Sequence, residues 1–127
     1  MVMNEDSFLD AAESGDIETV QKMLSKGIDV NTGDEHNRTA LMKAAKHGHM
    51  GIVQVLLEHG ADLNQRDNRG TNALYWASAN GHQEIVQLLV NNHCDVEVID
   101  DRGWSAKDQA NFYHHDQIVN MLEEAGA

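Results

Sequence analysis

Proline is absent from the 127 residues, and cysteine occurs once, as Cys94. Phe, Tyr and Trp contribute two residues each, and only 9 basic side chains stand against 21 acidic ones. A lone cysteine excludes an internal disulfide and fits a reducing compartment. The net charge of −12 disfavours nonspecific binding of nucleic acid or of anionic membranes by the chain as a whole. No apolar run approaches the ~20 residues of a membrane-spanning helix, and residues 1–6 lack the basic end and apolar stretch of a signal peptide. Low-complexity sequence and long linkers are missing too. The expected location is the cytoplasm, or the nucleus if the source is eukaryotic, with neither nucleic acid nor membrane as partner.

What the chain has instead is a repeat with a 33-residue offset. Ala44, Gly48, His49, Ile52, Val53, Leu56 and Asp62 fall on Ala77, Gly81, His82, Ile85, Val86, Leu89 and Asp95. The same step backwards reaches Ala11, Gly15, Val20, Gly27 and Asp29, and forwards it reaches Ala110, His115, Ile118, Val119, Leu122 and Gly126. A period of this size marks a solenoid, in which each unit buries its apolar face only by stacking on its neighbours. Within the unit, Asp6, Thr39, Asn72 and Ser105 share a column of good helix N-caps. Small residues follow one turn later, as in Ala11-Ala12, Ala44-Ala45 and Ala77-Ser78, so that a short helix can press closely on others. Gly15, Gly48 and Gly81 end that helix. A second helix carries an apolar stripe: Ile52, Val53, Leu56, Leu57, then Ile85, Val86, Leu88, Leu89. Asp67-Asn68-Arg69-Gly70 and Asp100-Asp101-Arg102-Gly103 read as tight turns, with Asn37 in the glycine slot of the equivalent turn before them.

This unit of helix, turn, helix and hairpin loop resembles the ankyrin repeat over roughly residues 5–127. Thr39-Ala40-Leu41-Met42-Lys43-Ala44-Ala45 stands where the family has Thr-Pro-Leu-His-x-Ala-Ala. Gly48-His49-Met50-Gly51-Ile52-Val53 and Gly81-His82-Gln83-Glu84-Ile85-Val86 match the middle of its pattern, and Gly60-Ala61-Asp62-Leu63-Asn64 the end. Two departures stand out. Ala40, Ala73 and Ala106 replace the usual proline, and Met42, Tyr75 and Asp108 replace the usual histidine, whose hydrogen bonds must be made otherwise or lost. The resemblance implies an all-α solenoid of four stacked helix-turn-helix units joined by β-hairpin-like loops. One domain over 1–127 is expected, with units at about 5–33, 34–66, 67–99 and 100–127. Lys22, Lys107 and Glu123 occupy columns that are apolar in the central units, so the outer units are expected to act as caps.

Eight histidines and many carboxylates invite a metal or an enzyme reading, and geometry argues against both. His49, His82 and His115 repeat once per unit, so they lie a helix-packing distance of ~8–10 Å apart and cannot converge on an ion that needs ligand atoms at ~2 Å. His93 and Cys94 lie at the opposite end of the second helix from His114 and His115. Cys94 takes the column of Ala61 and reads as a packing residue. No nucleophile-and-base pair and no glycine-rich phosphate loop stands out. A noncatalytic protein with no cofactor and no metal is expected.

The resemblance further implies that the hairpin tips and the exposed face of the short helices form one concave strip that grips other proteins. From the hairpin columns, His36, Arg38, Arg66, Arg69, Thr71, Arg102 and Trp104 are the candidate contacts. From the short-helix columns they are Lys43, Lys46, His47, Trp76, Asn80, Phe112 and Tyr113. Six of the nine basic residues lie on this strip, opposed in units two to four only by Glu35 and Asp101, so the strip is expected to be basic on an acidic body. Five of the six aromatics fall in the last two units, and Trp, Tyr and Arg are the residue types enriched at interface hot spots. The leading expectation is a protein-interaction module, monomeric when free, for a partner segment that interleaves acidic and apolar residues. Two other readings stay open. One is a stability scaffold or engineered array without a partner of its own. The other is asparagine hydroxylation at Asn64, because residues 56–64 resemble ankyrin segments that are substrates for it in animal cells.

Overall fold

A computed structural model describes residues 4–127; Met1 to Met3, which begin the expected domain, lie outside the described residues. Among the described residues eight helices follow one another in four pairs: α1 (Glu5–Ser14) and α2 (Ile17–Ser25), α3 (Ala40–Lys46) and α4 (Met50–Glu58), α5 (Ala73–Ala79) and α6 (Gln83–Asn91), α7 (Ala106–Phe112) and α8 (Asp116–Glu124). Each pair packs on itself. Beyond that, α1, α3, α5 and α7 stack in one layer, and α2, α4, α6 and α8 in a second. None of the eight is long and apolar enough to cross a membrane.

Side-chain size explains the two layers. Ala40, Ala44, Ala45, Ala73 and Ala77 are all buried, so the seven-residue helices α3 and α5 approach each other closely. The larger Ile52, Val53 and Leu56, with Ile85, Val86 and Leu89, fill the space between the layers, each at most 2% exposed. Thr39, Asn72 and Ser105 cap their helices by accepting from the backbone N–H three residues on. The first unit departs from that column: α1 starts at Glu5, and Asn4 rather than Asp6 is its cap, accepting from the N–H groups of Asp6 and Ser7.

His49, His82 and His115 sit at the cap position of α4, α6 and α8, yet none of them caps its own helix. Each ring reaches back one unit instead. Nε2–H donates to the carbonyl of Glu13, Lys46 and Ala79 at 2.9, 2.9 and 3.3 Å. Lys46 and Ala79 are the last residues of α3 and α5, whose final carbonyls have no partner within the helix. The histidine thus closes the preceding helix end and fixes the stagger between units. The glycine before it has two reasons to be there. Gly48 adopts φ +77°, and a Cβ on it would lie 2.7 Å from Cε1 of His82.

Gly48→Ala is therefore expected to cost about 2–3 kcal/mol, combining a left-handed backbone with loss of the His82 hydrogen bond. Urea unfolding measures it. A His82→Ala background should remove the steric share, so an unchanged penalty there would show that the ring plays no part.

Candidate functional site

Each hairpin is built on one aspartate. Asp34, Asp67 and Asp100 use Oδ1 to accept from two backbone N–H groups, those of His36 and Arg38, of Arg69 and Thr71, and of Arg102 and Trp104. The Oδ2 atoms face cations. Lys43 Nζ lies 3.0 Å from Asp34, Arg38 Nε 3.3 Å from Asp67 and Arg69 Nη2 3.3 Å from Asp100. Arg69 also reaches Asp101, and Arg66 pairs with Asp95. Four of the six strip cations are thereby neutralised, which corrects the expectation that only Glu35 and Asp101 oppose them. The inner face is not a free basic strip.

Asp100 carries the densest network. Tyr75 Oη donates to its Oδ2 at 2.7 Å, and Gln109 Nε2 donates to the same phenol at 2.8 Å. Burial, and then the neighbouring Asp100 carboxylate, push the Tyr75 hydroxyl up to about 12. For Asp100 burial acts upward too, but the Tyr75 hydroxyl, the N–H groups of Trp104 and Arg102 and the Arg69 charge outweigh it and hold the carboxyl below its ordinary value. In the column of the replaced histidine, Tyr75 makes a hydrogen bond of its own through its hydroxyl, while Asp108 completes a capping box with Ser105.

Above this network lies the aromatic surface. Trp76 is half-buried and its Nε1–H donates to Thr71 Oγ1 at 2.9 Å. Arg38, Lys46 and Arg69 place their charges 5.3, 5.1 and 5.9 Å from its ring centroid. Trp104 and Phe112 meet edge to face at 5.8 Å, and Phe112 and Tyr113 at 5.0 Å. Their exposures are 39%, 60% and 53%, so these three rings form an open apolar patch. A hollow of about 210 Å³ lies beside it, walled by Arg69, Asp100, Arg102, Trp104, Phe112 and Tyr113. A second, of about 510 Å³, runs from Lys46 and Trp76 past Asn80 to Tyr113 and His115.

Most of the candidate contacts therefore line one face, with one exclusion. Thr71 is wholly buried under Trp76, its hydroxyl engaged by the indole, and cannot touch a partner. His36, exposed at a hairpin tip, lies near Glu35, and His47 lies 3.4 Å from Glu13. Asn80 is exposed and donates to the Trp76 carbonyl. Asn64 is exposed, and its side-chain oxygen accepts from the Asp95 N–H of the next unit at 2.8 Å. Gln109 and His115 also line the hollows without having been candidate contacts from sequence. Cys94 is buried, and burial, then Asp95, push its thiol up to about 11, which leaves it unreactive at neutral pH. Among the described residues no three His, Cys, Asp or Glu side chains converge on a possible metal position.

A family model matches the chain that forms these stacked pairs and hairpins. Ankyrin repeats (3 copies) align with residues 8–100 and 60–127, which together take in nearly the whole chain. The chain belongs to the ankyrin-repeat family. Ankyrin repeats are in general protein–protein interaction modules. A comparison of the sequence with curated proteins gives no match. In this ankyrin stack the inner helices and hairpins carry both the cation-flanked Trp76 and the exposed aromatic patch.

Proposed function

We propose that this ankyrin-repeat protein is a noncatalytic binding module that holds a segment of a partner protein along the inner groove. The supporting observation is the continuity of the aromatic surface, from Trp76 across the larger hollow to Tyr113, Phe112 and Trp104. Exposed large aromatics clustered beside concave hollows are the usual anchors of an interface, since their rings present wide apolar area with little rotamer freedom to lose. Arg38 and Arg69, held by buried carboxylates, serve as rigid walls of the groove. Arg69→Glu is consequently a poor probe of binding, because it sets a third negative charge against Asp100 and Asp101.

Trp104 is the clean probe. Its backbone N–H belongs to the hairpin, but its side chain meets mainly Phe112. Trp104→Ala is expected to change stability by no more than about 1 kcal/mol and to weaken a bound peptide by about 2 kcal/mol, or some 30-fold. Peptides selected from a displayed random library on the immobilised protein supply the ligand. The reading fails if selection yields no binder, or if binding by Trp104→Ala falls only as its folded fraction does.

A further inference from the structure

Ion pairing sorts the cations of the inner face into two kinds. Arg38, Lys43, Arg66 and Arg69 have carboxylate partners, whereas Lys46 and Arg102 have none among the described residues. Lys46 lies on the wall of the larger hollow, its ammonium over the Trp76 ring. The competing carboxylate there is Glu13, which lines a smaller hollow with Lys46 and Trp76, lies 3.4 Å from His47 and makes no ion pair with Lys46. The Trp76 ring is pinned by its bond to Thr71, so the floor beneath the ammonium is rigid. A carboxylate entering here would meet an unpaired ammonium, with two guanidinium groups flanking the same ring. A cation entering here would meet the Lys46 charge, which no carboxylate offsets, and such repulsion is what discriminates between partners.

We infer, building on the binding module proposed above, that Lys46 over Trp76 is the subsite for an aspartate or glutamate side chain of the bound segment, while the Phe112–Tyr113 end takes an apolar side chain. Lys46 closes α3 and Tyr113 follows α7, two short helices further along. At ~8–10 Å per packed helix, that is ~16–20 Å, or about five or six residues of extended chain. The favoured partner segment therefore carries an acidic residue about five or six positions from an aromatic or aliphatic one.

The test uses displayed random peptides of about twelve residues, selected in parallel on wild type, Lys46→Met and Lys46→Arg, with circular dichroism confirming that all three are folded. Wild type and Lys46→Arg should enrich an acid at that spacing from an apolar residue, and Lys46→Met should keep only the apolar preference. For the best wild-type peptide, replacing its acid by the amide should weaken binding to wild type about tenfold and leave binding to Lys46→Met almost unchanged. In Trp104→Phe protein, where Trp76 is the sole tryptophan, the acidic peptide should change its fluorescence more than the amide does. An equal loss on wild type and Lys46→Met, or selected peptides without acid enrichment, overturns the Lys46 subsite while leaving the binding module standing. Failure to select any peptide on wild type overturns both.

Discussion

Asp100→Ala should destabilise the fold by about 3–5 kcal/mol, the range for breaking a buried charged pair. The side chain is 1% exposed and accepts four hydrogen bonds, two from its own hairpin, one from Tyr75 and one from Arg69. Alanine leaves two backbone N–H groups without their acceptor, the Tyr75 hydroxyl with no acceptor, and Arg69 with only Asp101. Asp100→Asn keeps Oδ1 for the hairpin but sets an NH2 donor where Oδ2 accepts from Tyr75 and Arg69, so it should fall between wild type and alanine; denaturant unfolding of the three separates the hairpin bonds from those of Oδ2. The same network predicts a pH dependence with two limbs. Asp100 is held below its ordinary value, so its contribution is complete above about pH 4 and is lost as acid carries the pH through the folded value. Tyr75 is raised, so its contribution is complete below about pH 10 and disappears as the pH rises through about 12. In Asp100→Asn the acid limb should flatten. An Asp100→Asn protein with an unaltered acid limb would show that other carboxylates carry it.

Leu56→Ala is expected to cost about 2–5 kcal/mol. Leu56 is wholly buried in α4, which packs on α2, α3 and α6, so the cavity would open between neighbouring units as well as within one. A stack of repeats is held by nearest-neighbour interfaces, and a fault in the second unit can uncouple the first from the rest. Hydrogen exchange should then show α1 and α2 opening at lower free energy than α5 and α6, while Leu57→Ala, at a half-buried position on the same helix, gives a smaller and uniform loss. Equal exchange across all eight helices in Leu56→Ala would mean that the chain unfolds as one unit and that the repeats are not separable.

The helices were legible because their signals are local. Thr39, Asn72 and Ser105 announce helix starts, the apolar stripes at Ile52 to Leu56 and Ile85 to Leu89 announce buried faces, and a 33-residue offset lines them up. Even the exceptions follow local rules. Asn37, His93 and His114 adopt φ of 60°, 64° and 62° in the columns where other units have glycine, held there by the turns on either side. The misplaced first cap has a local cause as well, since Asn4 lies two residues before the column and presents the same kind of side-chain oxygen. The aromatic end of the candidate surface could also be read directly, since exposed Trp104, Phe112 and Tyr113 need no partner from elsewhere in the chain to be placed.

The repeat, the helix pairs and the clustering of aromatics are properties of the chain alone, because each follows from residues within one unit or from comparing one column with itself. The tertiary structure decided the electrostatics of the surface. Arg38 meets Asp67, 29 residues on, and Arg69 meets Asp100, 31 residues on, so neither pair falls on the 33-residue register. Such contacts depend on how far one hairpin is staggered against the next, a distance fixed by helix packing and by the histidines that close the preceding helix ends. That stagger joins Tyr75 to Asp100 and neutralises most of the arginines, leaving Lys46 over the indole with no carboxylate partner among the described residues.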